Sequence, residues 1–414
     1  MAPGDGAVAR SRPFPAGSAV APVMLMVLIL FTVDAVVQTV LPVALAANGL
    51  GSGLLVGVFL ALAQGLGLLI APPVNAHADR RGRRGVLAVG GLLIAACAVG
   101  VVLAVGRGAW VWVVVVLGYG LGRGATVVTT LAVVARTGDP YRTQGYNGAT
   151  QRLAAALAAV LAATVLTDGR WVWAFWLTAA FGIAFALLSL RVAGPGGDPG
   201  AGVAVARSYP VSLGMLRGDR ALQASSLVNL NLACLTLIGN SFYPFVLDVP
   251  AGELAGWLLA LLLCRDLAAV ASGPLFGTVV GRVGMRGVLL LTGGCSVAGL
   301  LAVGLGGGIA GVVVGALLQG VAISTGIGAT NILATSAREG GTGLRLAATN
   351  YLNGVGSVAV PVLLGLSFDL AGASSVFVLG ALVCAALVAG VLALGGGTQA
   401  GSNRQGRGST SVAP

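Results

Sequence analysis

Asn75-Ala76-His77-Ala78-Asp79-Arg80-Arg81-Gly82-Arg83-Arg84 packs five charged side chains into ten residues. Apolar runs flank it on both sides, Leu54–Val74 and Gly85–Val105. A knot of charge between two segments of membrane-crossing length predicts a short loop held at a bilayer surface. The chain repeats the pattern. Gly277-Thr278-Val279-Val280-Gly281-Arg282-Val283-Gly284-Met285-Arg286 also lies between apolar runs, and Arg80, Gly82 and Arg84 correspond to Arg282, Gly284 and Arg286 at a constant offset of 202 residues.

Composition sets the solvent. Of 414 residues, 57% are hydrophobic and only 8% charged, with a mean hydropathy of +0.98. A soluble domain carries about 25% charged residues, so most of this chain is expected to face lipid. The net charge is +11, and all 23 basic residues are arginine. Without lysine there is no phosphate-binding loop of the Walker type and no Schiff-base nucleophile. The arginines are scattered over loops rather than gathered on one face, which argues against nucleic acid. Cys97, Cys234, Cys264, Cys295 and Cys384 stand singly in apolar runs and read as small buried hydrophobes. His77 is the only histidine, so no metal or other cofactor is expected.

Twelve apolar runs are legible: Val20–Ala46, Leu54–Val74, Gly85–Val105, Ala109–Ala135, Gly145–Leu166, Trp171–Val192, Ala221–Val246, Leu254–Phe276, Val288–Leu305, Ile309–Ala334, Leu346–Phe368 and Ser374–Leu394. Each is near the ~20 residues that a spanning helix needs. The first is too long for a signal-peptide core and holds Asp34 in its middle. The expected fold is an all-α integral membrane protein with twelve transmembrane helices in two six-helix repeats. Residues 1–19 and 395–414 read as flexible tails, 20–192 and 221–394 as two bundles, and the Gly- and Pro-rich 193–220 as a cytoplasmic linker. With both termini cytoplasmic, 18 of the 23 arginines fall on the inner side and only Arg107 and Arg170 outside. Such asymmetry is the mark of a multi-pass protein of the cytoplasmic membrane. The halves echo each other again at Ala135-Arg136 and Ala337-Arg338. Paired six-helix repeats and 67 glycines fit a transporter plan, in which small residues let helices approach closely.

The Asp79-Arg80-Arg81-Gly82-Arg83-Arg84 segment, its copy and the six-plus-six layout resemble the major facilitator superfamily over about residues 20–395. The family signature is Gly-x-x-x-Asp-Arg-x-Gly-Arg-Arg, and here Asn75 stands in place of its first glycine. The fourth run resembles the proton-antiporter pattern at Tyr119-Gly120, although the family's arginine would fall at Val116 and Arg123 comes seven residues later. The fifth aligns through Arg142, Gly145 and Arg170-Trp171, but its Gly-Pro is replaced within Leu153–Ala163. The drug-exporter branch is the nearest likeness. The resemblance implies that runs one, four, seven and ten line a cavity, so that Asp34 and Arg123 face each other.

Asp34 lies near the bilayer midplane, where a carboxylate must pair, face water or take a proton. Proton coupling and a fixed structural salt bridge are both compatible with it. Arg123 is its candidate partner or an anion-binding group. Arg265 and Asp266, adjacent in the eighth run, point about 100° apart, so each is expected to reach a different helix; Asp266 is a second candidate for proton coupling and Arg265 a second cavity cation. Arg152 is expected to snorkel to the inner surface. Asn229, Asn231, Asn240, Gln319, Asn331, Asn350 and Asn353 are candidate substrate contacts or interhelical glue. Trp171, Trp173 and Trp176 read as an interfacial belt. Asp79, Arg80, Gly82, Arg83 and Arg84, with Gly281, Arg282, Gly284 and Arg286, are candidate gating turns, Asp79 accepting hydrogen bonds from a helix N-terminus or an arginine.

Together these features predict a monomeric secondary transporter that moves a small organic molecule by alternating access, with proton-coupled efflux as the first reading and uptake symport or facilitated diffusion as the second. An enzyme would need a nucleophile and base that the sequence does not offer. A non-transporting sensor or scaffold is the alternative of another class, and would need a larger appended domain.

Overall fold

The computed structural model describes residues 20–50, 53–167, 170–192, 203–243, 246–247, 251–306, 308–336 and 341–395. The regular structure among them is entirely helical. One set comprises α1 (Val20–Ala47), α2 (Gly53–Arg81), α3 (Arg83–Leu103), α4 (Ala109–Val134), α5 (Pro140–Thr167) and α6 (Trp171–Val192). The short α7 (Ser208–Gly218) leads to a second set: α8 (Arg220–Phe242), α9 (Ala251–Ser272), α10 (Phe276–Leu305), α11 (Gly308–Thr335), α12 (Thr342–Ala371) and α13 (Ala373–Gly395). Among the described residues, eight segments are long and apolar enough to cross a membrane, and one of them, Gly256–Leu305, takes in most of α9 and all of α10. Helix is the form these sequences must take in lipid, because it satisfies every backbone polar group within the segment. Leu69, Val89, Leu103, Leu305 and Leu370 are each more than 60% exposed on the outer faces, which suits a hydrocarbon solvent and not water.

Each set packs around its own core. Met26, Leu41, Trp112, Phe175 and Phe185 are fully buried in the first, and Leu235, Ile238, Phe377 and Cys384 in the second. The neighbour pattern recurs: α3 packs on α4 and α6 as α10 packs on α11 and α13, and α1 packs on α5 and α6 as α8 packs on α12 and α13. Glycines set the close approaches. A Cβ on Gly124 of α4 would lie 2.7 Å from the Cα of Gly67 on α2, and one on Gly145 of α5 would collide with the Gly273 carbonyl oxygen in the other set.

Two expectations about the charged stretches are corrected. Asn75–Arg81 is the last part of α2 rather than a loop, and α3 begins at Arg83. The reversal is confined to Gly82, at φ 102 and ψ 152. Likewise Gly277–Val283 belongs to α10, which runs through a kink at Gly284, at φ 70 and ψ 173. Both backbone conformations lie in a region essentially reserved for glycine. A single glycine with that freedom is enough to turn the chain, so the flanking residues stay helical. The segment expected only to link the halves carries α7, which rests on both: the Tyr209 hydroxyl donates to the Leu69 carbonyl of α2, and Ser212 Oγ lies 2.8 Å from Tyr351 Oη of α12. Residues 1–19, 193–202, 396–414 and Arg338 lie outside the described residues, and Gly395, expected to open the C-terminal tail, is the last residue of α13.

Candidate functional site

The structure brings Asp34 and Arg123 together. The guanidinium grips the carboxylate with two donors, Nε to Oδ1 at 2.6 Å and Nη2 to Oδ2 at 3.2 Å. Tyr119 Oη donates to Oδ1 and Gln38 Nε2 to Oδ2, each at 2.9 Å. Asp34 therefore accepts four hydrogen bonds while 7% exposed. Local sequence arranges this. Tyr119 and Arg123 are four apart on α4 and share a face, as do Asp34 and Gln38 on α1. Gly122 and Gly124 let α4 approach its neighbours closely on either side of Arg123. A bidentate, fully hydrogen-bonded pair is the geometry in which a buried carboxylate is best compensated.

Arg265 and Asp266 touch each other and also face different helices, Asp266 towards Arg152 of α5 and Arg265 towards Gly239 of α8. Arg265 Nε donates to Asp266 Oδ1 at 3.3 Å, and the same oxygen lies 3.7 Å from Arg152 Nη1. Arg265 and Asp266 are 3% and 4% exposed, and the two neighbouring side chains also curl together despite their helical angle. Arg152 does not snorkel. Its side chain is 16% exposed and crosses from α5 in the first set to α9 in the second. A Cβ on Gly239 of α8 would lie 2.7 Å from Arg265 Nη1 and 3.3 Å from Gln319 Oε1, so this glycine makes room for both. Gln319 Oε1 also accepts from Tyr243 Oη at 2.9 Å.

A third cluster surrounds the Gly82 turn. Asp79, 1% exposed, accepts from the backbone amides of Gly343 at 3.2 Å and Leu344 at 3.1 Å, the N-terminus of α12. Arg83 Nη2 donates to the same carboxylate at 2.6 Å. The site needs both glycines opposite: a Cβ on Gly341 would collide with Asp79 Oδ2, and one on Gly343 would fall 2.7 Å from Asn75 Oδ1. Asn75 itself donates to the Ala71 carbonyl and accepts from Thr129 Oγ1 on α4, so it braces the turn from below. Arg80 and Arg81 are exposed and Arg84 partly so. In the copy, Gly281, Arg282, Gly284 and Arg286 are all exposed.

The remaining polar candidates scatter. Asn229 donates to Asn350 at 3.2 Å between α8 and α12, and Asn231 to Ser296 at 3.0 Å between α8 and α10, so both join helices within the second set. Asn331 of α11 donates to Gln144 of α5 at 2.9 Å and so joins the two sets. Asn353 is partly exposed on α12, and the side chain of Asn240 lies outside the described ones. Trp173 and Trp176 are exposed.

Sequence reasoning misses several participants. Gln144, Asn147 and Gln151 form a hydrogen-bonded ladder along α5, with links of 3.1 Å and 3.2 Å. Their i, i+3, i+7 spacing in an otherwise apolar run is a legible stripe. Asp219 caps α8, accepting from the amides of Ala221 and Leu222, and takes a 2.6 Å hydrogen bond from Arg345 on α12. Partial burial pushes its carboxyl up, but the bond and charge of Arg345, with the two amides, outweigh that and hold it below the ordinary value. Nothing in the spacing of Asp219 and Arg345 signals that pair.

Comparison with known proteins agrees with this architecture. The family model described as Major Facilitator Superfamily matches residues 23–309. No curated protein matches the chain by sequence. Among solved structures, the human organic anion transporter MFSD10 (TETRAN) is similar at a TM-score of 0.66 and 18% identity, over 92% of this chain and 100% of that one. A variant of the E. coli fucose:proton symporter FucP is similar at 0.70 and 15%, over 91% and 98%. FucP in its outward conformation is similar at 0.71 and 14%, over 91% and 98%. At these identities the likeness is one of fold.

Proposed function

The chain belongs to the major facilitator superfamily, and from that premise we propose that it is a proton-coupled secondary transporter working by alternating access. Proteins of this family are multi-pass membrane transporters rather than enzymes, so the bilayer and a small-molecule substrate come with membership. The finer reading is of two six-helix bundles, 20–192 and 221–394, joined by a cytoplasmic linker, 193–220, with both termini inside the cytoplasmic membrane. The recurring neighbour pattern and the matching glycines at 82 and 284 support it.

The observation that carries the proposal is the contact of Arg152 with Asp266, a buried ion pair made by opposite bundles. A bundle that rocks against its partner must break or remake it. A carboxylate that loses one cation during the cycle must take a proton or find another partner. Asp266, held at 3.3 and 3.7 Å, suits that role better than Asp34, which is locked by four donors within one bundle. Asp34 is then the fixed member that keeps α1 and α4 in register.

Hydrogen bonds between the bundles gather at the end that carries the Gly82 turn: Asp79 with α12, Asn331 with Gln144, and Arg136 with Thr342 at 3.4 Å. With that end cytoplasmic, the structure is the outward-facing state and Asp79 is its latch. Export is the direction carried by the likeness to drug exporters. Uptake symport is the second reading, supported by the likeness of fold to the fucose:proton symporter. The test is a pair of variants in proteoliposomes. Asp266→Asn should abolish gradient-driven accumulation while leaving substrate counterflow, and Asp34→Asn should lower folded yield. Full accumulation by Asp266→Asn would remove it from coupling.

A further inference from the structure

Helix α7 has two unlike faces. Its inner face carries Ser208 and Ser212, both fully buried. Met215 and Leu216 pack on a core drawn from both bundles: Ala71 of α2, Val128 of α4, Leu222 of α8 and Leu346 of α12. Tyr209 donates to the Leu69 carbonyl of α2, and Ser212 meets Tyr351 of α12. Asp79 ties the same two helices, α2 and α12. The short helix is therefore a second strap across one seam between the bundles.

The outer face is apolar along its length and basic at its ends. Tyr209, Leu213 and Arg217 stand on successive turns. Val205, Tyr209 and Leu213 are 40%, 38% and 41% exposed, and Tyr209 joins them to the lipid-facing Leu69, at 61%. An apolar strip flanked by cations suits the boundary between acyl chains and headgroups. The cations are Arg207, Arg217 and Arg220, all exposed. None of the three makes an ion pair among the described residues. Asp219 is the only carboxylate in residues 203–243, and Arg345 holds it at 2.6 Å. The charge of this face is therefore not met from within its own segment.

We propose that the outer face of α7 is a docking surface for acidic phospholipid in the leaflet at the Gly82 end. Val205, Tyr209 and Leu213 lie against the acyl chains, and Arg207, Arg217 and Arg220 take phosphodiester oxygens. Charge complementarity selects an acidic lipid over a zwitterionic one, because the arginines need net negative charge. The guanidinium fork matches phosphate in shape as well as charge. Bound lipid holds α7 against α2 and α12, and so favours the state in which the inner end is shut. That consequence rests on the alternating-access reading; the docking surface stands without it.

The experiment uses the purified full chain in a neutral detergent, titrated with phosphatidylglycerol, phosphatidylcholine or glycerol 3-phosphate. Binding is read as the rise in melting temperature and as lipid retained in native mass spectra. Closure is read as slower amide exchange at Gly343 and Leu344, the amides that Asp79 caps. Phosphatidylglycerol should stabilise the protein and slow both amides, while the other two do not. Arg207→Gln, Arg217→Gln and Arg220→Gln together should weaken phosphatidylglycerol binding about a hundredfold, at about fivefold for each arginine near an acidic surface. The pair Arg282→Gln and Arg286→Gln, equally exposed at the Gly284 kink, should leave binding unchanged. No stabilisation by phosphatidylglycerol, or equal stabilisation by phosphatidylcholine or glycerol 3-phosphate, overturns the proposal. An equal loss in the Arg282 and Arg286 pair overturns the site. Binding with amide exchange unmoved would uphold the docking surface and sink the clamp. Absence of counterflow in proteoliposomes would sink the transport reading and leave the docking surface standing.

Discussion

The two glycine turns make the same backbone move and serve different ends. Gly82 and Gly284 stand 202 residues apart, both at positive φ (102 and 70), yet Asp79 on the first turn has no counterpart on the second, where Gly281 is exposed. The reason lies at the helices each turn faces. Helix α5 carries its own cap, Asp139, whose carboxylate accepts from the Arg142 amide at 2.8 Å. The equivalent residue before α12 is Gly341, which has no side chain, and its helix is capped from outside by Asp79. A local cap holds one helix; a borrowed cap ties two bundles together. A side chain at Gly341 and the carboxylate at Asp79 cannot coexist, since the Cβ would fall on the oxygen. The asymmetry therefore ties α2 to the start of α12 through a carboxylate that the mirror position, Gly281, does not carry.

The largest effect should come from Asp79→Ala, which uncovers the α12 amides and takes the carboxylate away from the buried Arg83. We expect a loss of about 3–5 kcal/mol, the usual result of removing one member of a buried pair, read by thermal unfolding together with faster amide exchange at Gly343 and Leu344. The double change Asp79→Gly with Gly341→Asp moves the cap to the local position used by α5. It should recover about 1 kcal/mol of helix capping without restoring the tie between bundles, so unfolding improves and inner-side accessibility does not. Equal recovery of both would erase the distinction.

Next come the turns themselves. Gly82→Ala and Gly284→Ala should each cost about 1–3 kcal/mol through backbone strain alone, and only the first should also alter transport. Smaller still, Asp139→Ala should cost about 1 kcal/mol as a lost cap, whereas Gly281→Asp, placed in open space, should stay within about 0.5 kcal/mol of wild type. The smallest effect is a pH dependence. The folded-state carboxyl of Asp219 is held below its ordinary value of 3.8. Its contribution is therefore present above that value and lost as pH falls through the lower, folded-state value. A melting curve should be flat in this respect at neutral pH and fall below about pH 4, with a shallower fall in Arg345→Gln.

How far the sequence is legible follows physical lines. Runs of apolar residues announce membrane helices because lipid leaves the backbone no other choice, and the arginine-rich turns mark where they end. Even so, the turns look longer than they are, because five charges suggest solvent while one glycine suffices to reverse the chain. The meeting of Asp34 with Arg123 follows from family likeness, since each sits alone in its run. The Arg265–Asp266 contact is not legible because ideal helical angles leave out how far a long side chain can curl back along its own helix. The crossing of Arg152 to α9 and the pairing of Asp219 with Arg345 depend on how two bundles dock, which no local pattern encodes. Gly341 and Gly343 are invisible for a different reason: a glycine chosen for space looks like any other until the neighbouring oxygen is placed.

Proton flux into proteoliposomes holding the purified protein, with small organic cations, neutral molecules and anions added to one side in turn, is the measurement to make. The account predicts a substrate-driven pH change, its sign separating symport from antiport, and its loss in Asp266→Asn with counterflow intact. Counterflow with no proton movement, or proton movement undiminished in Asp266→Asn, would contradict it.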